Sequence, residues 1–413
     1  IYDTMNDFAQ NQLHKGIVPA SDTPNFIGNR VGIFGIMSAI KLALEKGITI
    51  QEADMLTGKV CGRPNSATFR TADLIGLDIL KNVANTTYKK STHDESIEVF
   101  KIPNIIEDLI EKGNLGQKTN GGFYKKNEAG DIQVYNPENK NYAPIEKLDI
   151  DLDDDKINNG DINQRINYLI NLDNKYGDFF WHSMSDMLLY CAHRIPEITS
   201  DPINIDNAMK WGYGWELGPF EVWDAMGVQE TVSRMKKENK NVPSWVDEML
   251  SYGRETFYEL TNGKRTYYDV LSSSVKTTED NPKVINLSLK KSGNNLIKRD
   301  WSASLIDLGD GVLNVEFHSA LQPTLNPIDS SMAEVMNEAM DLLDASKYNA
   351  LVVGHEGVNF CAGANLANMI QVIDSKDFDK INNDIKQFQD LSLIHISEPT
   401  RPRLISYAVF CLK

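Results

Sequence analysis

Cysteine is scarce in this sequence. Its 413 residues hold four, Cys61, Cys191, Cys361 and Cys411, far apart and with no C-x-x-C pair. That argues against a disulfide framework and a thiolate metal site, and leaves buried thiols in a reducing compartment. The seven histidines are scattered with no H-x-x-x-H spacing, so a metal site is not expected. Positive charge is short as well. Lys and Arg number 42 against 58 Asp and Glu, and a net charge of −16 excludes a nucleic-acid surface, which needs a basic stripe. A local basic patch for a phosphorylated ligand stays compatible with that balance. No apolar run approaches ~18 residues, and the opening IYDTMNDFAQNQ has no signal-peptide core, so the expectation is no transmembrane segment and a cytoplasmic location. No G-x-S-x-G elbow occurs. Gly212-x-Gly214-x-x-x-Gly218 nearly matches a dinucleotide fingerprint, but no strand precedes it and Pro219 follows it. A pyrophosphate needs a strand, a tight turn and a helix N-terminus, so no complete nucleotide-binding domain is expected.

What is present is ordinary globular material, 41% hydrophobic and 24% charged, long enough for two to four domains. Residues 1–22 carry a short helical pattern (Met5, Phe8, Ala9, Leu13) and a strand-like exit, Gly16-Ile17-Val18-Pro19. The chain begins with Ile, which reads as a processed product or a fragment. Asp22-Thr23-Pro24-Asn25 looks like a helix start, followed by a long amphipathic pattern from Phe26 to Leu44 that stops at Gly47. Helical patterns follow at 51–58, 70–86 and 103–112, and glycines 113, 116, 121 and 122 punctuate a turn before Phe123-Tyr124. The acidic run DIDLDDDKINNGD (149–161) reads as a solvated linker, since it lacks the ligand and glycine spacing of a calcium loop. Helical patterning resumes at 163–197, 228–238 and 244–259, and 272–300 reads as a polar connector.

From 301 the texture is α/β. Val312 to Phe317 alternates as a strand, Ser331-Met332-Ala333-Glu334 reads as a capping box, 349–354 is a second strand, and Phe378, Ile381, Ile385 and Phe388 share one helix face. The last 22 residues, SLIHISEPTRPRLISYAVFCLK (392–413), continue neither pattern and read as translated sequencing-adapter read-through.

An internal echo marks the helical part. GRPNSATF leads from Phe69 to Asp73 and Gly76, and GWELGPF leads from Phe220 to Asp224 and Gly227, with identical spacings in both. Asp54 and Asp206 precede the two phenylalanines by fifteen and fourteen residues. A duplicated helical unit is expected, with each Phe plugging the core and Asp73 and Asp224 capping or turning the next helix.

Two places suggest chemistry. Asn29-Arg30 lies early in an otherwise apolar helix, where burial is costly unless both are hydrogen-bonded. Either the pair caps neighbouring loops, or Asn29 points into a cleft and holds a polar ligand. GVNFCAGANLANMI (357–370) follows the strand Ala350–Val353. Its Ala362, Gly363 and Ala364 let a carbonyl approach the backbone at a helix N-terminus, so an oxyanion hole, worth roughly 3 kcal/mol of barrier per donor, competes with simple packing.

DTPNFIGNRVG, GRPNSATFRTADLIGLD and LGQKTNGGFY together resemble the C-terminal part of 3-hydroxyacyl-CoA dehydrogenases, and IDNAMKWGYGWELGPFEVWDAMG resembles the repeated copy of that domain. Residues 301–391 resemble the first part of a crotonase-like enoyl-CoA hydratase domain. The order resembles one bacterial branch of bifunctional β-oxidation enzymes. The resemblance implies a multidomain chain of mostly α-helical duplicated domains followed by a partial α/β domain. Its segments are 1–22, the tail end of an NAD-binding Rossmann domain; 23–148, the first helical domain; 149–162, the linker; 163–271, the second helical domain; 272–300, a linker; 301–391, the partial hydratase domain; and 392–413, the adapter-derived tail. It implies that Asn29 lies near the substrate hydroxyl or keto group and orients a catalytic His. It implies that the Ala364 N–H forms half of an oxyanion hole for the thioester. The catalytic His–Glu pair, the NAD fingerprint and the hydratase glutamates of the family have no counterpart here, so this stretch is expected to be inactive alone. Acyl-CoA thioesters are the implied ligands, with CoA as part of the substrate and NAD bound elsewhere. A homodimer through the helical domain and a thiolase are candidate partners. Two rivals stay open, a non-catalytic helical dimerisation or acyl-CoA-binding module and a dehydrogenase acting on another 3-hydroxyacyl substrate.

Overall fold

The computed structural model describes residues 2–393 except 149, 151, 154–155, 158–159, 279–283, 321, 323–324 and 358. The tail 394–413, with Cys411, and six positions of the acidic run therefore lie outside the described residues. Two compact units result, one of residues 1–258 and 267–276, the other of 259–266 and those after 276. No helix among the described residues is long and apolar enough to cross a membrane.

The first unit starts with α1 (Tyr2–Asp7), continued by a wide π turn over Phe8–Gln12. Met5, Phe8 and Leu13 are all exposed. The long helix α2 (Gly28–Lys46) ends as its pattern requires, with Gly47 in the left-handed conformation. It begins three residues beyond Asn25, because Asn25 and Phe26 both take positive φ and cannot open a helix. Next come α3 (Ile50–Thr57), α4 (Phe69–Ile75), α5 (Leu77–Lys90) and α6 (Asn104–Glu111). The single helix expected over 70–86 is two, since Gly76 at φ 94° turns the chain between α4 and α5. A three-stranded antiparallel sheet, β1 (Tyr124–Lys126), β2 (Ile132–Asn136) and β3 (Asn141–Pro144), closes this half.

The second half holds α7 (Ile162–Ile170), α8 (Lys175–His193), α9 (Pro202–Tyr213), α10 (Pro219–Met226), α11 (Val228–Lys237) and α12 (Ser244–Ser251). The pattern at 163–197 is also divided, because Asn174 accepts from the N–H groups of Tyr176 and Gly177 and starts α8 afresh. The pattern at 244–259 stops at Ser251, with Gly253 at φ 77°, and Tyr258 opens strand β4 (Tyr258–Thr261). One continuous hydrophobic core runs through both halves. At its centre α2 lies against α8, with Phe34 stacked on Tyr190 at 3.7 Å between centroids.

The supposed connector 272–300 contains regular structure. β5 (Lys264–Asp269) and β6 (Ser274–Thr277) complete a sheet ordered β4-β5-β6, within which the division between units falls, and α13 (Leu287–Ser292) and β7 (Leu296–Arg299) follow. The second unit is built on a sheet ordered β10-β9-β8-β7, where β8 (Ala303–Gly309) and β9 (Val312–Phe317) are antiparallel and β10 (Ala350–Gly354) is parallel to β9. The crossover helix α14 (Ser330–Asp344) buries Met332, Val335 and Ala339 against that sheet. Its cap is Asp329, which accepts from the Met332 N–H, and not the predicted Ser331. Helices α15 (Leu366–Asp374) and α16 (Phe378–Leu393) follow and leave Leu366, Ile370, Phe378 and Ile385 exposed.

Candidate functional site

Arg30 and Asn29 are adjacent in sequence and opposite in role. The Arg30 guanidinium is fully buried and hydrogen-bonded to Tyr190 Oη (2.6 Å), Ser91 Oγ (2.8 Å) and Asp94 Oδ2 (2.7 Å), with Glu197 Oε1 at 3.2 Å. Burial pulls its pKa down, but Tyr190 and Asp94 outweigh burial and the net shift is upward. Arg30 ties α2 to α8 and is out of reach of a ligand. Asn29, in the first turn of α2, is exposed, and its Oδ1 accepts from Tyr213 Oη at 3.3 Å. That bond leaves the Asn29 amide N–H groups directed at whatever approaches.

Tyr213 ends α9, just before Gly214 turns left-handed. Its ring lies on α2 only because Gly32 has no side chain: a Cβ there would sit 2.4 Å from Tyr213 Cζ. Gly35, one turn on, is covered in the same way by Met187 Cε. Beside these glycines is a cavity of about 80 Å³, walled by Gly32, Gly35, Ile36, Met187, Tyr213 and Trp215 together with the 63–68 loop and Thr71 of α4. Arg63 is half-buried in that wall, its guanidinium 4.2 Å from the Trp215 ring centroid and its Nη2 3.7 Å from Met184 Sδ. No carboxylate pairs with it among the described residues, and burial pushes its pKa down. Cys61 and Cys191 nearby are buried free thiols, both pushed up by burial.

The loop is held by the repeat found in the sequence. Asp54 accepts from the N–H groups of Thr68, Phe69 and Arg70 and from Tyr124 Oη, while Asp73 accepts from those of Phe123 and Tyr124. The second copy does the same: Asp206 accepts from the N–H groups of Phe220 and Glu221 and from Tyr258 Oη, and Asp224 from those of Phe257 and Tyr258. Phe69 and Phe220 do plug the core, each edge-on to the Phe of its own Phe-Tyr pair. The downstream aspartates do not cap the next helix as expected. They clamp the Phe-Tyr backbone, and the upstream aspartates do the capping. Burial raises these carboxyls against the pull of their donors, Asp54 and Asp73 to about 6 and Asp206 to about 8. Sequence reasoning passed over Tyr124, Tyr258, Tyr213 and Arg63. Phe-Tyr recurring at 123–124 and 257–258 was the legible signal for the first two; Tyr213 sits inside the discounted glycine cluster.

In the second unit, Ala364 follows Gly363, which has φ 95°. The turn is pinned to Ile328, whose N–H donates to Gly363 O and whose carbonyl accepts from the Asn365 N–H. The Ala364 N–H between them donates to no acceptor among the described residues, and α15 starts two residues later. Close to the end of β10, His355 has neither ring nitrogen hydrogen-bonded among the described residues. No described group of three or more His, Cys, Asp or Glu could hold a metal ion.

Comparison with known proteins meets this geometry at the first half. Residues 26–126, which include Asn29, the 63–68 loop and Tyr124, match the family model of the 3-hydroxyacyl-CoA dehydrogenase C-terminal domain. A Bacillus subtilis protein named "Probable 3-hydroxyacyl-CoA dehydrogenase" is 38% identical over 96% of this chain and 49% of its own length. A Deinococcus radiodurans protein of the same name is 43% identical over 29% of this chain and 34% of its own. A Rickettsia prowazekii protein named "Putative fatty acid oxidation complex trifunctional enzyme" is 24% identical over 94% of this chain and 49% of its own. The chain thus spans about half the length of the relatives it matches almost throughout. Of the cavity's lining residues, Met187, Tyr213 and Trp215 lie beyond the matched stretch.

Proposed function

We propose that this chain is part of an enzyme of fatty-acid β-oxidation that oxidises (3S)-3-hydroxyacyl-CoA to 3-oxoacyl-CoA with NAD, and that Asn29 holds the substrate oxygen at C3. The supporting observation is the Asn29–Tyr213 bond. With Oδ1 engaged by Tyr213, the amide N–H groups of Asn29 are the ones free to donate, as a hydroxyl or keto oxygen requires. In the oxidation a His acting as general base takes the hydroxyl proton while hydride leaves C3. That base belongs to residues outside these 413. The Gly212-x-Gly214-x-x-x-Gly218 cluster does not fit NAD, since Gly214 caps a helix and the Gly218 backbone packs against Asp206. This chain's part is the substrate side.

The second unit supports a coupled hydration of 2-enoyl-CoA. An unpaired Ala364 N–H beside the start of α15 suits the thioester oxygen as it gains charge, and the relative from Rickettsia prowazekii carries a trifunctional name. Ala364 is one half of such a hole; its second donor and the glutamates that deliver water are assigned to residues outside the chain.

Calorimetric titration of the chain with acetoacetyl-CoA tests this reading. The expected results are saturable binding, at least tenfold weaker binding by Asn29→Ala, and no NADH from 3-hydroxybutyryl-CoA and NAD. Absence of binding would overturn the substrate assignment, and NADH formation by the chain alone would overturn the placement of the base.

A further inference from the structure

The cavity near Asn29 is mostly apolar, yet it is lined by a cation with no counter-ion among the described residues. Arg63 lines it with Trp215 against one face of the guanidinium and only a thioether sulfur near Nη2. Every other buried or half-buried arginine in the first unit with a described partner has an oxygen one. Arg30 has Asp94, Arg165 has Glu216, Arg194 has Glu95 and Glu197, and Arg254 has the Thr256 and Phe257 carbonyls. In a chain of net charge −16 carboxylates are plentiful, so the missing partner is a property of this position. Ser66 lines the same cavity. The Thr71 hydroxyl donates to the Ala67 carbonyl at 2.6 Å, so the 2.9 Å contact between Ser66 Oγ and Thr71 Oγ1 takes up the Ser66 hydroxyl hydrogen. Arg63 therefore presents donors to a cavity whose described residues supply it no oxygen acceptor.

We infer that this cavity receives the far end of an acyl chain that itself ends in a carboxylate, with Arg63 as the counter-ion. The inference rests on the reading of Asn29 given above, and distance selects the chain end. Gly32 lies three residues along α2 from Asn29, a rise of about 4.5 Å, so the cavity opens within a few carbon atoms of a C3 oxygen held at Asn29. The phosphates of CoA are separated from C3 by the whole pantetheine arm and would have to fold back to reach it. A plain alkyl tail would fit the apolar wall but would expel water from Arg63 without replacing its hydrogen bonds, which is unfavourable for a charge lacking a partner. A carboxylate matches the planar fork of the guanidinium and satisfies it. Substrates of this class are CoA thioesters of dicarboxylic acids. Arg63 is on this argument a specificity-determining residue and touches no reacting atom.

The test titrates the full chain with adipyl-CoA, hexanoyl-CoA and CoA. The two thioesters have six carbons each and differ only in a terminal carboxylate or methyl. Adipyl-CoA is expected to bind about tenfold more tightly than hexanoyl-CoA, with the preference shrinking at high salt. Arg63→Met should abolish the preference by weakening adipyl-CoA and strengthening hexanoyl-CoA, which no longer dehydrates a charge, and Arg63→Lys, which keeps the charge without the fork, should retain part of the preference. Arg63→Lys also serves if Arg63→Met does not fold. Equal affinities for the two thioesters, or a preference that survives Arg63→Met, would overturn the inference and leave the Asn29 reading intact. Binding of CoA alone that depends on Arg63 would overturn it in favour of a phosphate. Failure of every thioester to bind would remove both readings.

Discussion

Tyr124→Phe removes one oxygen from the first copy of the aspartate clamp, and its effect should depend on pH in a defined direction. Tyr124 Oη donates to Asp54 Oδ2 at 2.8 Å, and Oδ2 otherwise receives only the Arg70 N–H at 3.2 Å. Burial raises Asp54 to about 6, above its ordinary value, so the native chain keeps a proton that the unfolded chain releases between about pH 4 and 6. Stability from this group therefore falls as pH rises through that window. The phenol favours the ionised form, so its removal moves the Asp54 pKa further up and extends the loss to higher pH. At pH 8 the lost bond is charge-assisted and Tyr124→Phe should cost about 1.5–3 kcal/mol; at pH 4.5 it is neutral and the cost should be about 0.5–1.5 kcal/mol. Urea unfolding followed by tryptophan fluorescence at both pH values measures the difference. In an Asp54→Asn background, where the carboxylate is gone, the pH dependence of the Tyr124→Phe cost should vanish. Tyr258→Phe should behave alike but break near pH 8, where burial places Asp206. Equal costs at pH 4.5 and pH 8, or a cost below about 0.5 kcal/mol at pH 8, would refute the assignment of Tyr124 as the donor that holds an ionised Asp54.

Two further outcomes follow from buried contacts. Arg30→Met strands Asp94, which is fully buried, and should destabilise the first unit by about 3 kcal/mol, the low end for a broken buried pair because Arg194 Nη1 remains 3.6 Å away; chemical denaturation reads it directly. Gly122→Ala would place a Cβ 2.0 Å from Asp73 Oδ1 and should cost about 1–3 kcal/mol by overpacking the clamp, whereas Gly113→Ala meets nothing within 4 Å and should cost only the roughly 1–2 kcal/mol of its φ of 73°, a contrast measured by thermal melts of the pair.

Much of the helical part was legible, for a physical reason. The repeat spacing Phe-x3-Asp-x2-Gly survives in both copies because each residue does one geometric job, the Phe as plug, the Asp as clamp, the Gly as the positive-φ turn at 76 and 227. Helix breaks at Asn171–Asn174 and Tyr252–Gly253 were not legible from periodicity, since apolar residues on both sides keep the helical spacing across the break. The strands within 272–300 were missed because β6 is exposed along its whole length and offers no alternation. Asn29 could be singled out as one of a polar pair in an apolar helix, but the split between its exposure and the burial of Arg30 depends on Tyr190, Asp94 and Ser91, which lie 61–160 residues away. Arg63 was hidden for the converse reason. Its distinguishing property is the lack of a partner, and no local sequence pattern encodes that.

The twin clamps carry a consequence for how this chain tolerates change. Asp73 fastens to Phe123 across 50 residues and Asp224 to Phe257 across 33, so the same clasp closes loops of different length. Closing the longer loop costs only about 0.4 kcal/mol more in chain entropy, less than a single hydrogen bond of the clasp contributes. Chain entropy therefore places little constraint on the length between clasp points; the buried residues within it do. The first copy spends it on a 14-residue α5 and a short 3₁₀ turn at Ile97–Phe100, where the second has a 10-residue α11. New peptide grafted at an exposed turn inside the first interval, such as Gly113, would be accommodated with the clasp left in register.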